Sequence, residues 1–305
     1  MATSRNRAEG KPPKQGLDKK SSATTASTNG SNNGSASSSL DSLRKLYATL
    51  LRCRIAQQEF SSSQAMAGRY DFCIGHEAVT AGAVADLRVE DTIAASRRNL
   101  AALICRGLPI EDLLQKGGDH APRLCAVGTL TASSLPQHPV HLGTGIALAH
   151  KLERKQNVVV ALCMGEPTPS DSWHDALRAA ATQKLPILYV IEEAKVPEAS
   201  TSPATVTFLE DFSFYLKDYG FPCIQVDAAD AVAVWRVAQE SIHRARNGAG
   251  PTLIECVMKS QQDPLVRMED YMRKRKVWDD EWKAQLVARM NVDTQMLVGV
   301  EVLSR

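Results

Sequence analysis

What this 305-residue chain lacks narrows its function first. No stretch reaches the roughly 18 to 20 consecutive apolar residues that a membrane-spanning helix needs, so no membrane role is expected. The seven cysteines are scattered, with no CxxC pair. That pattern argues against disulfide bridges or a zinc site and for reduced core thiols in a cytoplasmic protein. No apolar core of a signal peptide lies near Met1. An excess of charge is missing too: the net charge is +2. Arg5, Arg7, Lys11, Lys14, Lys19 and Lys20 against Glu9 and Asp18 give the first 40 residues +4, which leaves about −2 for the rest. Such a body has no electrostatic case for binding nucleic acid. Internal repeats are absent as well.

What is there is an ordinary globular composition, 44% hydrophobic and 23% charged, behind a polar leader. Residues 1–39 are Ser, Thr, Asn, Gly and Lys with almost nothing to bury, so they are expected to form a disordered tail. Residues 40–305 are long enough for a single α/β domain. Helical periodicity runs from Asp41 to Phe60 through Leu43, Leu46, Tyr47, Leu50, Leu51 and Ile55. Further helices are expected from Gly75 to Leu87, Asn99 to Arg106, Leu142 to Leu152, Leu209 to Tyr219 and Asp230 to Arg246, and from after Met258 to the terminus.

Three apolar runs read as strands: Asn157–Met164, Leu185–Ile191 and Thr252–Met258, with Cys223–Val226 as a fourth. Runs without alternation suit strands buried on both faces of a parallel sheet. Strand, Gly165-Glu166-Pro167-Thr168 turn, helix from Trp173 to Ala181 and strand again make one crossover unit. Such a unit puts both following loops at the carboxyl end of the sheet, where open α/β folds bind ligands. The expected class is therefore α/β, a doubly wound and mostly parallel sheet.

Seven phrases in register carry a resemblance. They are Ile74-Gly-His-Glu-Ala-Val79, Leu87-Arg-Val-Glu-Asp91, Arg106-Gly-Leu-Pro109, Trp173-His-Asp-Ala-Leu177, Lys184-Leu-Pro186, Gly250-Pro-Thr-Leu-Ile-Glu255, and Asp263-Pro-Leu-Val-Arg267 with Trp278-Asp-Asp-Glu-Trp282. Residues 41–290 thereby resemble the alpha subunit of the decarboxylating component of 2-oxo acid dehydrogenase complexes, of pyruvate or branched-chain type. The resemblance implies the thiamine-diphosphate-binding fold, thiamine diphosphate with magnesium as cofactors, and an α2β2 assembly with a beta subunit; a homo-oligomer is the other option. The implied reaction is oxidative decarboxylation of a 2-oxo acid with acyl transfer to a lipoyl disulfide.

The same resemblance marks Arg98, Gly165, Glu166 and Glu193 as cofactor-binding positions, with Glu166 and Glu193 as the available metal ligands. It also exposes departures. Where the family has Gly-Asp-Gly the chain has Gly165-Glu166-Pro167, and the metal-ligating Asn is replaced by Ala194. Glu for Asp moves the carboxylate outward by roughly 1.5 Å, against a magnesium shell at about 2.0–2.1 Å. Pro167 and Pro169 each remove an N–H from the turn that would cradle phosphate. Thr168-Pro169-Ser170-Asp171 reads as a self-contained capping box with Asp171 where the diphosphate would lie. Ser134-Leu135-Pro136-Gln137 replaces the family's aminopyrimidine contact, Leu100 and Ala102 stand in for histidines, and only Met258 to Gln262 remains of a longer histidine-bearing loop.

Other features read more simply as structure. Gly143-Thr-Gly145 lacks a third glycine, so close helix packing is expected rather than a dinucleotide site. His138-Pro-Val-His141 is expected to be an extended loop and not a zinc site. Cys163 is expected to be a buried strand cysteine, His174 a helix-packing residue, and Arg273–Lys276 a solvated helix face. Two functional classes remain open: an active alpha subunit, or a non-catalytic member that keeps the fold and its partner surface.

Overall fold

The computed structural model describes residues 32–62, 75–96, 99–107, 128–132, 138–164, 171–192, 219–260 and 262–290. The chain divides into two units, Met1–Ser39 and Leu40–Arg305, and the sheet with its helices belongs to the second. Six strands occur among the described residues: β1 Thr92–Ser96, β2 Thr129–Ala132, β3 Val159–Met164, β4 Ile187–Glu192, β5 Cys223–Asp227 and β6 Thr252–Val257. They form one sheet in the order β2-β1-β3-β4-β6-β5. Every pairing is parallel.

Alternation along the strands explains the layers. Val158, Val160 and Leu162, with Leu188, Val190 and Ile254, face one side and pack against α2 (Glu77–Val84) and α6 (Ala231–Arg246). Val159, Ala161 and Cys163, with Ile187, Tyr189 and Leu253, face the other and meet α4 (His138–Leu152) and α5 (Asp171–Thr182). Covering both faces lets a strand be apolar throughout, as expected for this class of doubly wound parallel α/β sheet. In α5, Trp173, Leu177 and Ala180 fall on one stripe and are fully buried. In α6, Val234, Ala238, Ile242 and Ala245 do the same, and Asp230 caps the helix by accepting from the N–H of Ala233 at 2.9 Å.

Two glycines set close approaches. A Cβ on Gly143 would lie 3.0 Å from Cβ of Ala161 and 3.1 Å from Cδ1 of Ile187, so α4 lies directly on the sheet. The packing role expected for this glycine is the one it has. A Cβ on Gly82 would meet the carbonyl oxygen of Ala231 at 2.9 Å, which fixes α2 against α6.

The structure departs from the sequence reading in four places. Helix α1 begins at Asn32 and runs to Ser62, inside the stretch assigned to the tail. Once the apolar turns from Leu43 onward nucleate the helix, extending it backward fixes few further torsions per bond. Helix α4 begins at His138, so the His138–His141 stretch is helical and not an extended loop. Pro139 sits in the first turn, where its missing N–H has no helical partner to lose. Strand β2 was not anticipated. The chain beyond β6 is broken: α7 (Pro264–Lys274) stops before Arg275, and a further helix, α8, covers 280–290, the last of the described residues. Arg273–Lys276 is accordingly a helix end, where Arg273 lies over the Trp278 ring at 4.9 Å and Arg275 over the Tyr271 ring at 5.3 Å.

At the amino end of the sheet, Asp91 is fully buried and accepts four hydrogen bonds that tie its own turn to β3 and α6. It accepts from Nη1 and Nη2 of Arg246 at 3.0 and 2.6 Å, from the N–H of Val158 at 2.8 Å and from the N–H of Arg88 at 2.8 Å.

Candidate functional site

The carboxyl ends of β3 and β4 are adjacent, with Met164 in register with Glu192. The chain therefore leaves the sheet for the 165–170 turn and for the segment after Glu192 from neighbouring strand ends. Ser96 ends β1, the strand on the other side of β3, so the segment carrying Arg98 starts from the same edge. This is the placement the crossover reading predicts. The expected site residues themselves, Arg98, Gly165, Glu166 and Glu193, lie outside the described residues, as do Ala194, the Thr168–Ser170 part of the capping box and Ser134–Gln137. Helix α5 is described from Asp171 onward.

What the structure does describe at this end is a buried acid that sequence reasoning passed over. Glu192, the last residue of β4, is 2% exposed. Its Oε1 lies 2.5 Å from Nδ1 of His76, the residue just before α2. Among the described residues its second oxygen, Oε2, has no hydrogen-bond partner. Burial pushes this carboxyl above its usual range, and the hydrogen bond and charge of His76 only partly offset that. A Glu ending an all-apolar strand was a visible signal, because a buried acid needs a partner.

Next to His76, Glu77 is equally buried and is held by the Arg54 guanidinium and by the N–H of Gly75 at 2.8 Å. The other arm of Arg54 reaches Oδ2 of Asp263 at 2.7 Å. Asp263 caps α7 by accepting from the N–H of Leu265 at 2.8 Å. Burial raises the Asp263 carboxyl, but the Arg54 hydrogen bond and charge, together with the capping N–H donors, outweigh it and hold the group below its usual value. Arg54 itself was legible: it stands one turn after Leu50 and Leu51 on the buried stripe of α1, where a charge implies a partner.

Several phrases that carry the resemblance are thus engaged in the scaffold. Asp91 clamps the sheet's amino end, Glu77 and Asp263 share Arg54, and Arg267 bridges Asp227 at 2.6 Å and Asp230 at 2.9 Å. Trp278 and Trp282 pack on Tyr47 with ring centroids at 5.2 and 5.6 Å. His174 shares a 2.6 Å hydrogen bond between Nδ1 and the Tyr219 hydroxyl and meets the Trp173 ring edge-on, with centroids 5.9 Å apart, the packing role expected of it. Cys163 is buried, and burial pushes its thiol up to about 12, which suits an inert strand cysteine.

No group of three His, Cys, Asp or Glu side chains placed to hold a metal occurs among the described residues. Glu192 directly precedes the second of the two loops, and His76 already holds one of its oxygens. A cleft of about 520 Å³ opens at the end of β5, two strands away from β4, between Asp227, Asp230, Ser260, Gln262, Arg267 and Tyr271. Arg267 neutralises its two inner aspartates, so it carries no free anionic cluster.

Residues 46–259 match the sequence pattern of the family described as Dehydrogenase E1 component. The chain belongs to that family. Its relatives include the alpha subunit of acetoin:2,6-dichlorophenolindophenol oxidoreductase from Bacillus subtilis, 30% identical over 195 residues, which are 60% of this chain and 58% of that protein. The alpha subunit of 3-methyl-2-oxobutanoate dehydrogenase from Mycobacterium tuberculosis is 27% identical over 281 residues, 82% of this chain and 75% of that one. The alpha subunit of the pyruvate dehydrogenase E1 component from Staphylococcus aureus is 25% identical over 289 residues, 85% and 77% of the two. The alpha-subunit resemblance read from the seven phrases stands. No helix among the described residues is long and apolar enough to cross a membrane.

Proposed function

We propose that this E1 family member is a non-catalytic alpha-type subunit, which keeps the fold and a partner surface but does not hold thiamine diphosphate through magnesium. The observation that carries the reading is the pair of substitutions at the family's metal positions, Glu166 for Asp and Ala194 for Asn. One donor is displaced by a methylene and the other is missing, and a cation that wants six oxygens at about 2.0–2.1 Å tolerates neither. The electrostatics support it. Glu193, as the replacement ligand, would add a second negative charge beside an anionic diphosphate.

The partner is a beta subunit of the same dehydrogenase component, and the place of action is the cytoplasm. The network of Arg54, Glu77 and Asp263 preserves α1, α2 and α7 as a unit whether or not a cofactor binds. The test is calorimetry of thiamine diphosphate with magnesium, titrated into the full chain alone and bound to a co-expressed beta subunit. No binding heat from the assembled sample is the expected result. Magnesium-dependent binding in the micromolar range would overturn the proposal and favour the active alpha subunit, with Glu166 and Glu193 as ligands and Arg98 on the diphosphate.

A further inference from the structure

Two thiols outside the cofactor region face each other. Cys53 sits in the middle of α1 and is fully buried, while Cys105 is the last residue of α3 (Leu100–Cys105) and is partly exposed. Their sulfurs are 3.8 Å apart, although 52 residues separate them in sequence. A disulfide needs about 2.05 Å, so the two must close by roughly 1.8 Å. Cys105 ends a six-residue helix, Arg106 is the C-cap, and Gly107 follows with φ +80°, a conformation glycine adopts without strain.

We propose that Cys53 and Cys105 are a peroxide-oxidisable dithiol whose disulfide ties α1 to α3. Cys105 is the attacking sulfur, because it is the one that solvent reaches. Its hydrogen bond to Cys105 and its burial both keep Cys53 a thiol, so Cys53 resolves and does not initiate. In the first step the Cys105 sulfur attacks one oxygen of the peroxide. The O–O bond breaks, water leaves, and Cys105 becomes a sulfenic acid. In the second, the Cys53 sulfur attacks that sulfenyl sulfur, the S–S bond forms and the S–O bond breaks. The hydroxyl departs as water with the Cys53 proton. One peroxide is reduced to two waters and two thiols are oxidised to one disulfide.

The consequence reaches the edge where ligand loops start. Helix α3 is capped by Asn99, whose Oδ1 accepts from the N–H of Ala102 at 2.9 Å, and Asn99 follows Arg98 directly. Tying the far end of α3 to α1 therefore restrains the helix that Asn99 caps, directly after Arg98 in sequence.

The experiment is brief hydrogen peroxide treatment of the folded full chain, then denaturing alkylation and peptide mass spectrometry. Cys223, exposed on β5, reports that the oxidant reached the protein. The expected result is a Cys53–Cys105 linked peptide that dithiothreitol removes and that C105S lacks. C53S should stop at a Cys105 sulfenic acid trapped by dimedone. Two results would overturn the proposal: Cys105 trapped or over-oxidised in the wild type with no link to Cys53, or both thiols intact while Cys223 is oxidised. Matching thermal unfolding curves for the reduced wild type and both variants keep a folding defect from being mistaken for either.

Discussion

Nδ1 of His76 and Oε1 of Glu192 lie 2.5 Å apart across 116 residues of sequence, and the pair joins the start of α2 to the end of β4. Removing the imidazole would leave a buried carboxylate unpartnered, which typically costs about 3–5 kcal/mol. His76→Ala should lower unfolding free energy in urea by that order. Adding Glu192→Gln removes the orphaned charge, so the double variant is expected to recover part of the loss. Equal losses in both would place the cost in packing and not in charge.

Arg246→Met should be among the most damaging single changes in α6. It leaves Asp91, fully buried, without either of its guanidinium bonds. A loss of about 3–5 kcal/mol is expected for breaking such a pair from one side. Urea midpoints of Arg246→Met and of the double variant with Asp91→Asn measure it, with the double expected to be the less unstable.

Gly82→Ala tests the α2–α6 crossing. The added methyl would lie 2.9 Å from the backbone oxygen of Ala231, an atom that cannot rotate away. Overpacking of this kind costs about 1–3 kcal/mol. Gly145→Ala, with nothing within 4 Å, is the control and should be neutral or slightly stabilising by thermal melt.

Acid should uncouple Asp263 from Arg54. The carboxyl's folded pKa lies below its ordinary 3.8, so the stability it adds is fully present above 3.8 and is lost as pH falls through the folded value. The gap between wild type and Asp263→Asn in urea unfolding should be constant from pH 7 to about 5 and should close below about pH 4. A gap unchanged at the acid end would show that the carboxylate charge contributes nothing.

Much of this architecture is legible in the sequence because it is written in local periodicity. Val158 to Cys163 and Ile187 to Ile191 are apolar without interruption, and only a strand covered on both faces uses such a run. Strand β2 has four residues, Thr-Leu-Thr-Ala, too few to show any period, and its parallel partner β1 supplies the hydrogen bonds that hold it. Pro139 misled because a proline in a first helical turn and a proline in a loop look alike in sequence. The charge pairs were illegible for a different reason. Arg54 finds Glu77 23 residues away and Asp263 209 residues away, and nothing local names either partner.

The position of Asp91 has a consequence for how this lineage can change. Its clamp sits beneath the sheet, at the opposite end of the strands from the segments that hold Arg98, Glu166 and Glu193. Substitutions at Asp91 or Arg246 therefore act on residues apart from the loop positions, whereas His76 and Glu192 tie stability to the carboxyl end as well. Scaffold residues such as Asp91 thus let residues 46–259 match the family pattern whatever stands at the loop positions.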